Sequence, residues 1–183
     1  MAASEQTAEE LLEDGAAAGE WILDPSRSAV SFKNRSMWGL VRVHGVFRKV
    51  TGNGTVSPTG SVSGALTVGA ASIDTKNAKR DTHLRSADLF DSDQYPDITF
   101  VAETARLAGQ DAVVTGALTV RGVTRPLTFD AAVSIRGDGE IGLDAAVRIN
   151  RADFGLTWNV LGTASMLSTI TIQATFTPGH TDE

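Results

Sequence analysis

Residues 127–150 read LTFDAAVSIRGDGEIGLDAAVRIN, and their periodicity decides the fold class. Leu127, Phe129, Ala131, Val133 and Ile135 share one parity, against Thr128, Asp130, Ser134 and Arg136 on the other. Gly137-Asp138-Gly139 interrupts the run. Ile141, Leu143, Ala145, Val147 and Ile149 then resume it against Gly142, Asp144, Arg148 and Asn150. Successive side chains of a strand point to opposite faces, so a period of two marks strands with one buried face. A glycine-rich break between two such runs is a hairpin turn.

The pattern spreads outward from this hairpin. Downstream, Ile170, Ile172, Ala174 and Phe176 alternate with Thr171, Gln173 and Thr175. Upstream, the turn signals Gly52-Asn53-Gly54, Ser57-Pro58-Thr59-Gly60 and Gly109-Gln110-Asp111 divide further alternating runs. The expected strands are 28–34, 40–50, 52–57, 62–71, 97–107, 111–121, 123–136 and 140–150, with a ninth at 168–177. That many antiparallel strands exceed a small flat sheet and suit a closed barrel, which leaves no exposed edge. Residues 79–98, KRDTHLRSADLFDSDQYPDI, break the rhythm. They predict one helix over 75–87, capped by Asp74 or Thr75, with Lys76, Lys79, Arg80 and His83 along one stripe and Ala78, Leu84 and Ala87 as its apolar residues. A helix of this kind inserted in a barrel is a natural lid. A second irregular stretch, 152–166, carries Phe154, Trp158 and Met166.

A chain of 183 residues with this pattern is one domain with a substantial core. Residues 1–20 hold Glu5, Glu9, Glu10, Glu13, Asp14 and Glu20 without a Lys or Arg, so they carry the whole net charge of -6. The expected organisation is an acidic arm at 1–19, a barrel at 20–178 and a tail at 179–183. The arm reads as mobile, the alternative being a short helix with Ala8, Leu11 and Leu12 on one side. The remaining chain is charge-neutral and offers no footprint for nucleic acid. No window reaches the ~18 apolar residues of a membrane span, so no stable membrane insertion is expected. The first residues lack a basic start and an apolar core, which points to the cytoplasm. A homodimer is compatible with everything above.

Chemistry is sparse. The chain has no cysteine, which removes disulfides, thiolate metal sites and thiol catalysis. Its three histidines, His44, His83 and His180, form no metal spacing, and no HExxH, GxSxG or P-loop pattern occurs, so no catalytic set, metal or cofactor is expected. His44 falls on the polar parity of its strand. Asp88, Asp91, Asp93 and Asp97 read as turn formers. Small inward candidates, Gly64, Gly116, Ala131 and Ala145, fit either a cavity or a tightly filled barrel. The basic stripe fits either an anionic headgroup or a solvated helix face.

Four segments carry a resemblance to a known family. They are Trp21-Ile22-Leu23-Asp24 with Ser28-Ala29-Val30-Ser31-Phe32, and Met37-Trp38-Gly39 leading to Val41-Arg42-Val43-His44-Gly45-Val46-Phe47. The third is Arg80-Asp81-Thr82-His83-Leu84-Arg85-Ser86-Ala87-Asp88-Leu89-Phe90-Asp91 followed by Tyr95-Pro96-Asp97-Ile98-Thr99-Phe100. The fourth is Gly116-Ala117-Leu118-Thr119-Val120-Arg121-Gly122-Val123-Thr124-Arg125-Pro126-Leu127-Thr128. Over residues 20–177 the chain resembles the bacterial YceI family of polyisoprenoid-binding, lipocalin-like proteins. The resemblance implies an extended eight-stranded antiparallel lipocalin-like β-barrel with one helix near its mouth and a long isoprenoid, of the prenyl pyrophosphate or quinone class, inside. The chain departs from the family pattern at Lys33-Asn34-Arg35-Ser36 and at Leu161-Gly162-Thr163-Ala164-Ser165-Met166.

On this reading the protein is a non-enzymatic binder of a lipophilic small molecule. Phe32, Trp38, Phe47, Leu66, Val68, Leu84, Phe90, Phe100, Phe129 and Trp158 are the expected wall and mouth, with His83 and Arg85 at the headgroup. Two alternatives stand beside it. One is an enzyme acting on a lipophilic substrate through His83 or His44 beside an Asp. The other is a stress-related interaction module with a filled core and the acidic arm as its contact.

Overall fold

A computed structural model describes residues 7–179. The order is α1 (Ala8–Glu13), β1 (Gly19–Leu23), β2 (Ala29–Ser36), β3 (Val41–Phe47), β4 (Val50–Val56), β5 (Val62–Gly69), β6 (Ile73–Asp74), α2 (Ala78–Arg85), β7 (Asp97–Ala108), β8 (Asp111–Val120), β9 (Val123–Arg136), β10 (Glu140–Asn150) and β11 (Leu167–Pro178). Every pairing is antiparallel. The path β1-β4-β5-β7-β8-β9-β10-β11 closes where β11 pairs back onto β1. The hairpin of β9 and β10 has Ile141 opposite Ile135 and Leu143 opposite Val133, so both apolar sets face the interior together.

Two barrel positions are each built from two strands. β1 and β2 both pair with β11, Trp21 opposite Pro178 and Phe32 opposite Ile170, and a 3-10 turn at Pro25–Arg27 separates them. β3 and β4 continue one another in the same way around Arg48 and Lys49, pairing with β2 and β1. Counted by position, the closed barrel has eight antiparallel strands, as expected. The kink after β1 has a clear cause. Asp24 accepts from the Ser26 backbone N–H at 2.9 Å and from the Ser26 hydroxyl at 2.6 Å. Arg27 then donates to Asp24 at 2.7 Å and, with both terminal nitrogens, to Glu140 on β10. The Ser26 bonds and the Arg27 guanidinium hold the Asp24 carboxyl down at about 2.

α2 is shorter than predicted. Asn77 caps it by accepting the Arg80 N–H at 3.0 Å. Lys76 stands in the left-handed region at φ 62, so no helix can run through it from the expected caps. Asp74 accepts the Lys76 N–H instead, and Thr75 donates both its N–H and its hydroxyl to the buried Asp81 carboxylate. Among the described residues β6 pairs only with β3, and α2 follows it after Thr75, Lys76 and Asn77.

The expected acidic arm also takes definite form where it is described. Thr7 and Glu10 make a reciprocal capping box for α1, and Glu9 accepts the Gly109 N–H from the β7–β8 turn. Ala8 and Ala17 are buried, and the Trp21 indole donates to the Ala17 carbonyl at 2.9 Å. Residues 1–6 of the arm and 180–183 of the tail, with His180, lie outside the described residues. Among the described residues no helix is long and apolar enough to cross a membrane.

Candidate functional site

The barrel is not filled. Inward side chains of the strands surround two apolar cavities of about 300 and about 180 Å³, stacked along the barrel axis. The strand sequences show the stacking directly. On β9, Leu127 lines the larger chamber and Val133 and Ile135 the smaller; on β8, Leu118 and Val120 line the larger and Ala112 and Val114 the smaller. Leu66, Phe100, Phe129 and Ile172 line both and form a waist, where the Phe100 and Phe129 rings lie 5.3 Å apart. The filled-core alternative therefore fails. Small inward residues leave the strands close and the middle empty: a Cβ on Gly116 would sit 2.0 Å from the Val101 carbonyl oxygen, and one on Gly64 would sit 2.4 Å from that of Asn53.

Polar groups cluster at the outer end of the larger chamber, which we call the mouth. Arg80 and His83 reach it from α2, Asn34 and Ser36 from β2, Ser168 from β11, and Arg151 from the end of β10. Arg80 is held by its Nε–H to the Thr75 hydroxyl and by its Nη2–H to the Thr75 carbonyl, both at 2.8 Å. His83 stacks edge-on against Trp158 with centroids 4.0 Å apart, and its Nε2 lies 3.4 Å from Asp88 Oδ2. Arg151 ties the irregular connection together, donating to the carbonyls of Ser165, Leu156 and Trp158. Its Nη2 is buried and has no hydrogen-bond partner among the described residues. Burial lowers the Arg151 pKa, which still leaves a cation at neutral pH. A buried unpaired guanidinium nitrogen costs free energy that an anionic group could recover.

The distal end is closed differently. Ala8, Leu11 and Leu12 of α1, together with Ala17 and Trp21, form the floor of the smaller chamber. The lining there is almost wholly apolar, with Asn53 and Ser63 as its polar side chains.

Most expected wall residues meet here. Phe32, Phe47, Leu66, Val68, Leu84, Phe90, Phe100, Phe129 and Trp158 line the larger chamber, and so does His83. Trp38 does not. It continues the inward parity of β2 on paper, but it stands in a left-handed turn at φ 53 and its side chain is turned out to solvent. Arg85 also misses the wall, because its Nη2 donates to the Ile73 carbonyl at 2.9 Å and anchors α2 to β6. His44 is exposed on the outer face of β3, so it can take no part in chemistry inside. Arg151 and Asn34 were missed, though parity points to both: Arg151 extends the inward series Val147, Ile149, and Asn34 extends Val30, Phe32.

A YceI-like domain model matches residues 21–177. The chain belongs to the YceI family. It is 31% identical over 159 residues to Protein YceI of Escherichia coli and to that of Shigella flexneri, covering 82% of this chain and 82% of each relative. Among solved structures it is similar to Burkholderia cenocepacia BcnA, with a TM-score of 0.77 and 25% identity over 85% of this chain and 99% of that one. The Campylobacter jejuni YceI protein matches at a TM-score of 0.61 and 28% identity, covering 74% and 86% of the two chains. A polyisoprenoid binding domain from Saccharophagus degradans shares the fold at a TM-score of 0.72 and 17% identity, over 87% and 98%. The YceI match starts at Trp21, so the helical floor of the smaller chamber lies before the family region.

Proposed function

We propose that the protein binds a long isoprenoid-type lipid, its chain running through the waist and its head at the mouth. The carrying observation is that two apolar chambers share a waist of Leu66, Phe100, Phe129 and Ile172, while the charged side chains of the lining gather at the mouth of the larger one. Each buried CH₂ contributes about 0.8 kcal/mol, so a chain reaching both chambers binds tightly without any charged contact along its length. A polyisoprenoid binding domain shares this fold, which supports the same class of ligand here. At the mouth, Arg151, Arg80 and His83 favour an anionic head, and a prenyl phosphate or pyrophosphate suits them better than a quinone. The role is binding and transport of the ligand. His83 Nε2 lies 3.4 Å from Asp88 Oδ2, but His83 stands among the polar groups of the mouth, where it meets a head rather than the tunnel-bound chain.

Native mass spectrometry and solvent extraction of freshly purified protein, followed by titration with a fluorescent prenyl pyrophosphate analogue, test this reading. A bound lipid or a saturable fluorescence change is expected. Arg151→Met should weaken the pyrophosphate analogue by roughly ten- to hundredfold, the range of a hydrogen bond to a charged group, and spare the prenyl alcohol. Absence of any lipid together with no response to either analogue refutes it.

A further inference from the structure

Among the described residues, seven of the ten exposed large apolar side chains fall in two short segments, 37–41 and 158–167. Trp38 is 76% exposed, Leu40 84% and Leu161 86%. These segments are bonded to each other, Trp38 N–H to the Thr163 carbonyl at 3.2 Å and Ser165 N–H to the Arg35 carbonyl at 2.7 Å. Both adjoin the cavity mouth, since Ser36, Trp158 and Ala164 line it. The backbone holds these tips outward at a cost: Met37, Trp38 and Leu161 all take positive φ, where a side chain is disfavoured. An apolar rim around the opening of a lipid tunnel has no use inside this fold.

The charges around the rim agree in sign. From Pro25 to Ile73 the sequence contains no Asp or Glu, nor does it from Phe154 to Gly179. Lys33, Arg35 and Arg42 are exposed there, and Arg35 stands directly opposite Arg42 across the β2–β3 hairpin. Like charges placed opposite each other destabilise a hairpin unless something negative lies beside them. The acidic side chains nearest the mouth in sequence are Asp81, Asp88 and Asp153. Asp81 is buried and bonded to Thr75, Asp88 lies against His83, and Asp153 is exposed just past the end of β10, outside the β2–β3 hairpin. Glu9, Glu10, Glu13 and Asp14 sit at the other end of the barrel, on and beside the helix that floors the distal chamber. The molecule is therefore polar in charge along its axis.

We propose that the rim is a membrane-docking surface: the barrel sets its mouth on an anionic phospholipid bilayer, with the acidic end pointing away, and exchanges its ligand there. Trp38, Leu40 and Leu161 enter the interface while Arg35 and Arg42 meet lipid phosphates. Docking gives the ligand chain a path from tunnel to bilayer that never crosses water. The inference rests on the reading of the cavity as a lipid site, and the assay separates the two.

Flotation of the full chain with phosphatidylcholine vesicles, with and without phosphatidylglycerol, tests it. Binding to the anionic vesicles, weakened by salt, is expected. Leu40→Ser with Leu161→Asn should reduce the partition coefficient about a hundredfold, roughly tenfold for each apolar side chain. Arg35→Gln with Arg42→Gln should reduce it roughly fivefold for each charge removed. Both variants should bind a fluorescent prenyl analogue in vesicle-free buffer as the parent does. Failure of the parent to float, or flotation of the Leu variant equal to the parent's, overturns docking even if the analogue binds. Flotation without analogue binding upholds docking and overturns the cavity reading instead. A sedimentation result in which the Leu variant dissolves a dimer assigns the rim to a second copy and also overturns docking.

Discussion

Ala102 is the position at which the tunnel can be blocked without damaging the barrel. It lies on β7 just past the waist residue Phe100, half-buried, and lines the smaller chamber. Its cross-strand neighbours are Gly64 on β5 and Gly116 on β8, so no side chain competes for the space above it. Ala102→Phe should turn its ring into a chamber of about 180 Å³. The ring displaces about six carbons of ligand, at ~0.8 kcal/mol each up to roughly 5 kcal/mol. A long prenyl pyrophosphate should then lose at least about a hundredfold in affinity, and a short one confined to the larger chamber should lose little. Isothermal titration with a series of chain lengths reads the difference directly, with thermal melts confirming that the variant folds. No loss at any length would show that the ligand does not cross the waist, and equal loss at every length would show that the substitution acts otherwise than by shortening the tunnel; either result refutes the end-to-end reading.

Removing residues 1–18 should open the distal floor. The loss of the Ala8, Leu11, Leu12 and Ala17 cover is expected to cost about 2 kcal/mol, a fall of ~4–8 °C in melting temperature by calorimetry, and to let longer chains bind than the intact protein accepts. Gly116→Val should prevent soluble folding, because its Cβ would start 2.0 Å from the Val101 carbonyl oxygen; a soluble variant with a parental melting temperature would contradict that close approach. Acid should weaken the kink after β1. The folded Asp24 carboxyl titrates at about 2 against an ordinary 3.8, so its stabilisation is complete above the higher value and lost as pH falls through the lower. Melting temperatures measured across that window should drop less in Asp24→Asn than in the parent. Arg27 loses its Asp24 partner in that variant but keeps Glu140.

Strand alternation made the barrel legible because one face of nearly every strand meets the interior. The β9–β10 hairpin appears within the predicted bounds, 123–136 and 140–150. The kinks were less legible. Asp24, Ser26 and Arg27 are local polar signals, but the Glu140 that completes their network comes from a strand 113 residues away. The same limit applies at the mouth. Parity alone places Phe32, Phe129 and even Arg151 inside, whereas Trp38 obeys the parity and is carried out of it by a left-handed turn that no local residue preference announces. Arg85 carries a charge suited to a headgroup, yet the pairing of β6 supplies a carbonyl that captures it first. α1 shows the limit most plainly. Its six residues could not hold a helix alone, and it forms because Ala8 and the Glu9 bond to Gly109 attach it to the barrel end.

The emptiness of the interior is itself informative about function. Protein cores pack as densely as organic crystals, and an apolar void costs about 24 cal/mol per Å³ through lost contacts. At that rate the larger chamber of about 300 Å³ corresponds to ~7 kcal/mol and the smaller, of about 180 Å³, to ~4 kcal/mol. Either figure is a large part of the 5–15 kcal/mol that separates a typical folded domain from its unfolded chain. Larger residues at Ala102, Ala105, Ala112 and Ala174 would fill the distal chamber, and none of these positions supplies a polar group that binding would need. A barrel selected only to be stable would carry them. Keeping the void is consistent with a bound state in which ligand atoms restore the missing contacts, so ligand and fold stabilise each other. The same linkage means that occupancy raises the melting temperature by an amount that grows with chain length until the floor of α1 is reached.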